Sequence, residues 1–234
     1  MSESIVLEVC AGFANRLRAL VSGICYAEES KKKLVIYWIP HSACFVDLNH
    51  ILDILSLPFF VFVSRSYLTE EPQIIHNDDD LVSFPMYIKS YAHFYKKNPE
   101  RFNFHLRNLR FKVKPITSKS YVGVHIRRTD HTKCINESPL SFFIETMEKQ
   151  PKDINFYLAT DCFKTKNMIL ELFKDRVITS DIVLKRTSFD GVKGAVTDFV
   201  NLANCSKIIG TKHSSFSEMA GLYGNIELIF SQDG

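Results

Sequence analysis

The segment VGVHIRRTD, residues 122–130, is an apolar run that ends in a burst of polar residues. Its apolar part predicts a buried strand over residues 121–126, because valine and isoleucine favour strands. Alternation puts Val122, Val124 and Ile126 on one face and Tyr121, Gly123 and His125 on the other. A continuous apolar strand between helices is typical of a parallel sheet that is covered on both faces. The segment therefore predicts an α/β fold.

Two arginines, Arg127 and Arg128, stand at the end of this predicted strand. Adjacent guanidinium groups are costly there unless an anion meets them, and the planar fork of arginine matches phosphate oxygens. The pair therefore suggests a diphosphate ligand. The alternative is an internal ion pair, for example with Asp130 or Asp161, and composition alone leaves both open.

Strands and helices alternate along the rest of the chain. Further strands are predicted at residues 5–9, 34–39, 59–63, 154–159, 182–184, 207–210 and 226–230. Helical spacing of apolar residues predicts helices at 139–149, 163–173, 197–204 and 215–223, and residues 83–110 read as helical or irregular. Two such halves predict two Rossmann-like parallel-sheet domains that face a cleft. Ligands of open α/β sheets bind beyond the carboxyl ends of the strands.

A basic stretch without apolar periodicity separates the two halves. It contains Arg107, Arg110, Lys112, Lys114 and Lys119. We place the domain boundary there, which gives an N-terminal domain over residues 1–115 and a C-terminal domain over 116–234. The stretch is either a solvated linker or a segment whose positive charge helps to attract a phosphate-bearing ligand.

The bulk properties narrow the function classes. The chain has 234 residues, is 46% apolar and has a net charge of +3, which is too mild to indicate a nucleic-acid binder. No run reaches the roughly 20 apolar residues that span a bilayer, and the N-terminus lacks the pattern of a signal peptide. The six cysteines form no CxxC pair and lie in or beside apolar runs. We expect reduced thiols and a soluble protein of the cytoplasm or another reducing compartment.

A second motif, GTKHSSFSEMA at residues 210–220, joins a predicted strand to a predicted helix. Ser214, Ser215 and Ser217 are suited to cap that helix, with Glu218 completing a capping box from Ser215. Exposed amides and hydroxyls at a helix N-terminus also bind phosphate. Capping and phosphate binding are compatible.

Three weaker signals also fall at strand ends or at helix starts. The segment CAGFANRLRAL, residues 10–20, is a strand-to-helix turn with Gly12 and Asn15, although it lacks a phosphate-loop pattern. Asp161 ends the predicted strand LATD. Asp198 is placed in the first turn of a helix, where the helix dipole favours a carboxylate; it is also suited to accept two hydrogen bonds from a guanine edge.

Taken together and in this order, these motifs resemble the GDP-fucose-dependent fucosyltransferases. This superfamily includes α1,6-fucosyltransferases, bacterial nodulation fucosyltransferases and protein O-fucosyltransferases. HIRRTD is similar to the α1,6 group, the resemblance covers residues 121–224, and in the first half it rests on GFANRLRAL. It implies a GT-B fold, with the donor nucleotide sugar bound mainly by the C-terminal domain and the glycan acceptor on the N-terminal side. It also implies an inverting transfer that needs no metal or other cofactor.

The resemblance assigns roles residue by residue. Arg127 would hold the β-phosphate of the donor, and Asn15 would face the reacting groups in the cleft. It implies that His125 and Asp198 contact the guanine of the donor. It places four residues at the diphosphate: Arg127, Arg128, Ser214 and Ser215. Asp161 would support the site. No residue is predicted to bind metal; Asp78 and Asp80 form a DxD pair in a predicted loop and are the weaker, metal-dependent option.

The chain departs from the α1,6 pattern at the expected base. A lysine follows RRTD in that group and a glutamate comes four residues later, whereas this chain has His131 and Ile135. Asp130, His131 or Glu137 could substitute. The predicted catalytic residues are therefore Arg127, Asp130, His131 and Asn15.

Three other functions remain open at the level of sequence. The donor sugar could be rhamnose, mannose or another hexose, because the sugar contacts lie in the poorly matched half. The missing lysine and glutamate are compatible with a non-catalytic nucleotide- or glycan-binding protein. The basic stretch leaves a nucleic-acid-binding module as the least favoured alternative, and we expect no nucleic-acid partner.

Overall fold

The structure is a computed structural model that describes residues 4–64, 72–75, 87–181 and 185–231. The chain divides into two compact units. The first comprises Met1–Lys112 with Arg186–Val192, and the second comprises Val113–Lys185 with Lys193–Gly234. The predicted DxD pair, Asp78 and Asp80, and the predicted strand 182–184 lie outside the described residues.

Within the described part of the first unit, five parallel strands form one sheet, in the order β3-β2-β1-β5-β4. The strands are β1 (Ser4–Val9), β2 (Lys33–Trp38), β3 (Val61–Ser64), β4 (Gln73–Ile74) and β5 (Tyr87–Ser90). The helices are α1 (Phe13–Glu29), α2 (Leu48–Ile51) and α3 (Pro99–Asn108), with a short 3-10 helix at Ile54–Ser56. Strand β5 was not predicted, because the aromatic residues around it in the sequence obscure the alternation of apolar and polar residues that indicates a strand.

The described residues of the second unit form another five-stranded parallel sheet, in the order β10-β9-β6-β7-β8. Its strands are β6 (Tyr121–Ile126), β7 (Asn155–Thr160), β8 (Val177–Ile178), β9 (Lys207–Ile209) and β10 (Glu227–Ile229). Its helices are α4 (Thr132–Glu137), α5 (Leu140–Glu148), α6 (Phe163–Phe173) and α8 (Ser215–Gly224), with a 3-10 helix at Lys174–Arg176. Helix α7 (Phe189–Asn204) belongs to the second unit from Lys193 onward, and its first four residues belong to the first unit. Two parallel sheets flanked by helices confirm the predicted α/β class.

Strand β6 is the central strand of the second sheet, and its two faces differ as the sequence predicts. Val122, Val124 and Ile126 belong to a fully buried cluster that includes residues of α5 and α6. On the other face a side chain at Gly123 would meet Leu202 of α7, because a Cβ atom there would lie 2.9 Å from Leu202 Cδ2. Glycine at this position therefore lets α7 lie directly on the sheet.

Helix α7 is longer than predicted, because it begins at Phe189 and not near residue 197. Ser188 begins it, since the Ser188 hydroxyl accepts the Gly191 N–H and its carbonyl accepts the Val192 N–H. The two glycines of the first turns, at 191 and 194, read as a helix break in the sequence. Val192 and Val196 are buried, and their burial outweighs the low helix propensity of glycine.

All six cysteines carry free thiols, and Cys25, Cys44, Cys134 and Cys205 are buried, as predicted. Burial raises the pKa of the Cys25 and Cys205 thiols to about 12. In the described part of the chain, none of the helices combines the length and the apolar character needed to cross a bilayer.

Candidate active site at the carboxyl ends of two strands

The second sheet changes direction between β6 and β9. The chain runs outward from β6 through β7 to β8, and then returns to place β9 and β10 on the other side of β6. The crevice outside the carboxyl ends at such a switch point is where open α/β sheets bind ligands. The residues that follow β6 begin at Arg127, and those that follow β9 begin at Gly210, so both predicted motifs meet there.

Thr211 links the two motifs. Its hydroxyl donates to the His125 carbonyl at 2.8 Å and accepts the Arg127 N–H at 3.0 Å. Its own N–H donates to the Ser217 hydroxyl of α8 at 3.1 Å. Thr211 is fully buried. It was not predicted, because a threonine after a strand carries no signal until the neighbouring strand is known.

His125 is buried and held by α8. Its Nδ1 lies 2.7 Å from the Ser217 hydroxyl, and its ring lies 4.8 Å from that of Phe216. Burial lowers the pKa of His125 to about 4, although the charge of Asp161 opposes this shift. The imidazole is therefore neutral at pH 7 and is fixed in orientation. Contact with a guanine stays a prediction.

The Arg127 side chain forms an ion pair with Asp130. Its Nε and Nη2 both donate to Asp130 Oδ1, at 3.0 and 2.7 Å. The pair is only partly buried, since the two side chains are 22% and 41% exposed. The internal partner that the sequence left open is thus present, but it leaves the guanidinium accessible to an anion.

Arg128 is used differently from its neighbour. Its guanidinium donates to the carbonyls of Arg127 and Ser138, at 2.9 and 2.7 Å, and lies 5.5 Å from the Phe143 ring centre. Burial lowers its pKa from the ordinary value. These contacts fix the turn after β6; a contact of Arg128 with phosphate stays a prediction.

Asp161 holds the same turn from the end of β7. Its Oδ1 accepts the Arg128 N–H at 2.7 Å, and its Oδ2 accepts the Thr129 hydroxyl at 2.6 Å. A carboxylate that accepts from the backbone in this way fixes the path of the chain. These contacts give Asp161 a structural use in the turn; its support of a donor-binding site stays a prediction.

Helix α8 begins without a side-chain cap. Ser214 is the N-cap residue, its hydroxyl makes no capping bond, and Ser214 Oγ is a buried atom without a hydrogen-bond partner in the described part of the chain. Ser215 is the first helical residue and is half-buried. The predicted capping box of Ser215 and Glu218 is therefore wrong, because the helix starts at Ser215, one residue earlier than a box with Ser215 as the N-cap requires. The first N–H groups of α8 lack the side-chain acceptor that such helices usually have.

Gly210 makes the approach of α8 to β9 possible. A Cβ atom at Gly210 would lie 3.0 Å from both the Ser217 side chain and the Phe230 ring. Only a residue without a side chain fits there without displacing them. The glycine thus brings the N-terminus of α8 against the carboxyl end of β9.

Asp198 lies in the middle of α7, so its predicted place in a first helical turn is wrong. The cause is the earlier start of the helix at Phe189. Its Oδ1 accepts hydrogen bonds from the Tyr157 and Ser180 hydroxyls, at 2.7 and 2.5 Å. Burial raises the pKa of Asp198 to about 6, although both hydroxyls oppose the rise. Tyr157 shares with His125 the sheet face that α7 and α8 cover, because its register partner on β6 is Gly123.

His131 is exposed and starts helix α4. Its Nδ1 accepts the Cys134 N–H at 3.3 Å, as an N-cap residue does. This contact gives the imidazole a structural use. A role of His131 as a base stays a prediction.

The remaining member of the predicted set, Asn15, belongs to the first unit. It is half-buried in the first turn of α1, just after Ala11, whose φ of 65° lies in the left-handed region. A non-glycine residue in that region costs energy and is common at binding sites. Its role toward a ligand stays a prediction.

Arg16, beside Asn15, is fully buried and was not predicted. Its Nε donates to the Ala11 carbonyl at 3.0 Å, and its guanidinium lies 5.2 Å from the Trp38 ring centre. Its Nη1 and Nη2 are buried without a partner among the described residues. Burial lowers the pKa of Arg16 from the ordinary value. A buried cation with two unused nitrogens destabilises the fold.

Replacing Arg16 with methionine is therefore expected to raise the free energy of unfolding by about 1–2 kcal/mol, since the apolar chain removes two unsatisfied groups and loses one hydrogen bond. Urea unfolding monitored by Trp38 fluorescence measures the change. Arg18→Met is the control: it loses a bond to the Tyr91 carbonyl and is expected to lower stability by about 1 kcal/mol. A loss of stability in Arg16→Met would contradict the expected cost of the buried guanidinium.

A pocket of about 200 Å³ lies at the carboxyl ends of β2 and β3 in the first unit. Trp38, Leu48, Ile54 and Val63 are its apolar lining, and Asp47, Asn49 and Ser64 are its polar lining. The side-chain oxygen of Asn49, Oδ1, is buried and has no hydrogen-bond partner among the residues that the structure describes. A carboxylate, an amide and a hydroxyl around an indole are the groups that bind a polyhydroxylated ring.

Among the residues that the structure describes, no three His, Cys, Asp or Glu side chains converge to hold a metal ion. Metal independence stays a prediction, since Asp78 and Asp80 lie outside the described residues.

Comparison with protein-family models gave no match, and a sequence comparison with curated proteins gave none either. Solved structures do match. NodZ α-1,6-fucosyltransferase soaked with GDP-fucose aligns with a TM-score of 0.69 at 17% identity, over 95% of this chain and 93% of NodZ. NodZ from Bradyrhizobium aligns at 0.67 and 18%, over 94% and 93%. POFUT1 in complex with GDP aligns at 0.60 and 10%, over 99% of both chains.

The chain has the fold of these fucosyltransferases. The fold predicted from the resemblance is thereby confirmed, and the match extends over both units. Sequence identities of 10–18% show the fold and nothing finer.

Proposed function

We propose that the protein is a glycosyltransferase that moves fucose from GDP-fucose to a glycan acceptor, with inversion at the anomeric carbon and without a metal ion. One observation carries the proposal. At the switch point of the second sheet, Thr211 joins the accessible Arg127 to the uncapped N-terminus of α8, since it accepts the Arg127 N–H and its carbonyl accepts the Ser214 N–H at 3.2 Å. A guanidinium and free helix amides at one edge are suited to a diphosphate.

The same groups suit the chemistry of transfer. When the bond between C1 of fucose and the β-phosphate oxygen breaks, negative charge grows on that phosphate. Arg127 and the Ser214 and Ser215 groups would stabilise this charge without a divalent cation. The sugar would pass through an oxocarbenium-like state. Solved structures of this fold that contain GDP and GDP-fucose support the choice of donor.

Asp198 and His125 are the groups proposed to recognise guanine. Guanine presents adjacent N–H donors, for which a carboxylate is the complementary acceptor. Asp198 already accepts the Tyr157 and Ser180 hydroxyls at Oδ1 alone. Neutral His125, fixed by Ser217 and Phe216, offers a flat polar surface on the same side of the sheet.

The pocket of the first unit supports a small glycan as acceptor. Its polar lining, Asp47, Asn49 and Ser64, matches sugar hydroxyls, and its apolar lining matches the faces of a sugar ring. Asn15 lies in the same unit and is proposed to face the reacting groups.

Calorimetry with GDP, GDP-fucose, GDP-mannose and UDP tests the donor. We expect GDP and GDP-fucose to bind at least about 10-fold more tightly than UDP, because a site that pairs with guanine leaves polar groups unpaired with uracil. Equal indifference to every guanine nucleotide would exclude the proposal. Product analysis with a panel of GDP-sugars then identifies the sugar, and turnover that is unchanged by EDTA supports the metal-free mechanism.

The substitutions at His131 and Ile135 favour one second candidate, a binding protein without catalytic activity. Binding of GDP-fucose with no transfer and no slow hydrolysis would establish that candidate.

A further inference from the structure

A histidine–carboxylate pair lies at the same edge of the second sheet. Its carboxylate, Glu137, was one of the three candidates for the base, whereas its histidine, His213, was not predicted. His213 Nε2 is 2.6 Å from Glu137 Oε2, and the two side chains are 37% and 35% exposed. Glu137 ends α4, and His213 stands directly before Ser214, the N-cap of α8. The pair is therefore adjacent to the groups proposed to hold the leaving diphosphate.

The backbone is built to hold this pair. His213 has a φ of 60°, in the left-handed region, which costs a β-carbon residue about 1–2 kcal/mol. The loop is tied to the end of α4, because the Lys212 N–H donates to the Ser138 hydroxyl at 2.8 Å. The Ser231 hydroxyl donates to the Glu137 carbonyl. A strained residue that several contacts hold in place is a pattern typical of functional sites.

The charges around the pair decide which of its members is the acceptor. Lys212 Nζ and Lys133 Nζ lie 3.8 and 3.9 Å from the Glu137 carboxylate. The hydrogen bond from His213, with these cations, lowers the pKa of Glu137. An ionised carboxylate only accepts, so His213 donates its Nε2–H, and in the neutral imidazole the lone pair is then on Nδ1. Nδ1 has no hydrogen-bond partner among the described residues.

We propose that Nδ1 of His213 is the general base of the transfer, and that Glu137 orients its ring. This inference rests on the proposed function. The acceptor O–H oxygen forms a bond to C1 of fucose as the bond from C1 to the β-phosphate oxygen breaks. The electron pair of that bond goes to GDP, the acceptor proton goes to Nδ1, and imidazolium later loses it to water. Glu137 acts on the reaction only through His213 and is a positioning residue.

The other two candidates for the base are already engaged. His131 Nδ1 accepts the Cys134 N–H, and Asp130 Oδ1 accepts both Arg127 donors. At positions 131 and 135 the chain has His131 and Ile135 in place of the expected lysine and glutamate. His213 supplies a base from a different loop. Its place before the SSFS motif gave no signal, because its carboxylate partner lies 76 residues away.

The test measures GDP release from GDP-fucose, with water as the acceptor, in His213→Ala, His213→Gln and Glu137→Gln. We expect kcat to fall about 10²- to 10⁴-fold in both His213 variants, while calorimetry gives an affinity for GDP within about 3-fold of the wild type. Free imidazole should restore rate to His213→Ala. The acid limb of the pH–rate profile, on which rate rises as the base loses its proton, should disappear. Glu137→Gln should lower kcat about 10-fold or more and leave KM nearly unchanged.

His213→Gln separates a catalytic role from a structural one, since its amide can still donate to Glu137. Normal kcat in that variant, or loss of GDP affinity in step with kcat without imidazole rescue, would overturn the inference alone. Failure of the wild-type protein to bind GDP or to release it from GDP-fucose would overturn the proposed function as well.

Discussion

Replacing Arg127 with alanine is expected to weaken GDP binding about 10²- to 10⁴-fold. The guanidinium is proposed to make two charge-assisted hydrogen bonds to the β-phosphate, each contributing about 1.5–3 kcal/mol. The variant should remain folded, because the ion pair with Asp130 is partly exposed and such pairs contribute little. Calorimetry with GDP, together with thermal unfolding, measures both quantities on one sample.

Two controls sharpen the Arg127 experiment. Arg176 is an arginine of the same unit whose guanidinium donates to the Ile154 and Pro151 carbonyls, at the amino end of β7. Arg176→Ala should leave the affinity for GDP unchanged. Arg127→Lys keeps the charge and loses the planar fork, and should fall between alanine and the wild type. If Arg127→Ala binds GDP like the wild type, phosphate binding by Arg127 is refuted.

Asp198→Asn is expected to change stability and binding in opposite directions. Burial raises the pKa of Asp198 from 3.8 to about 6, so keeping it ionised at pH 7 costs about 3 kcal/mol at 1.36 kcal/mol per pKa unit. Asparagine removes this cost and can still accept from Tyr157 and Ser180. It also replaces an acceptor with a donor at the proposed guanine edge. We expect a higher free energy of unfolding and an affinity for GDP that is about 10- to 100-fold weaker.

The increase in the free energy of unfolding that we expect for Asp198→Asn depends on pH in a definite direction. The native state binds more protons at Asp198 than the unfolded state does between pH 4 and 6, so the contribution of this group to stability falls as pH rises through that window. The advantage of Asp198→Asn should therefore be small at pH 4 and complete above pH 6. The contribution of His125 to stability changes with pH in the opposite direction. Its pKa is lowered to about 4, so the stability that neutral His125 contributes is lost as pH falls from 6.5 to 4. The asparagine variant should consequently show a steeper loss of stability on acidification than the wild type.

Urea unfolding at pH 4.5 and 7.5 measures the effect. Asp153→Asn, an exposed carboxylate that precedes β7, is the control and should change stability by less than about 0.5 kcal/mol at either pH. An Asp198→Asn protein that is less stable than the wild type at pH 7.5 would contradict the claim that the native carboxylate is held at a cost.

The pattern of apolar residues predicted most of the framework. Strands β1, β2, β6 and β7 and helix α6 lie where the alternating and helical periods placed them. The errors arose where a local signal competed with packing. Glycines concealed the first turns of α7, and the serines before α8 suggested a capping box that the helix does not make.

The candidate site was predicted in part. Arg127, Asp161 and Ser214 lie at the strand ends and helix start where their motifs put them, and the structure links Arg127 and Ser214 through Thr211. Asp198 lies on the same sheet face as His125, but deeper in a helix than expected. Thr211 and His213 were missed, since their partners belong to strands and helices that are distant along the chain.

The sequence by itself determined the two parallel sheets and the polar residues that follow their strands, because periodicity and strand ends are local properties that neighbouring residues encode. Only the tertiary structure decided which partner each polar side chain takes. Strand β9 pairs with β6 across more than 80 residues, and this pairing brings Thr211 to Arg127. Partner choice depends on strand order and on burial, which emerge only when the whole sheet assembles. For this reason Arg127 remains accessible while Arg128, its neighbour in sequence, is bound to backbone carbonyls.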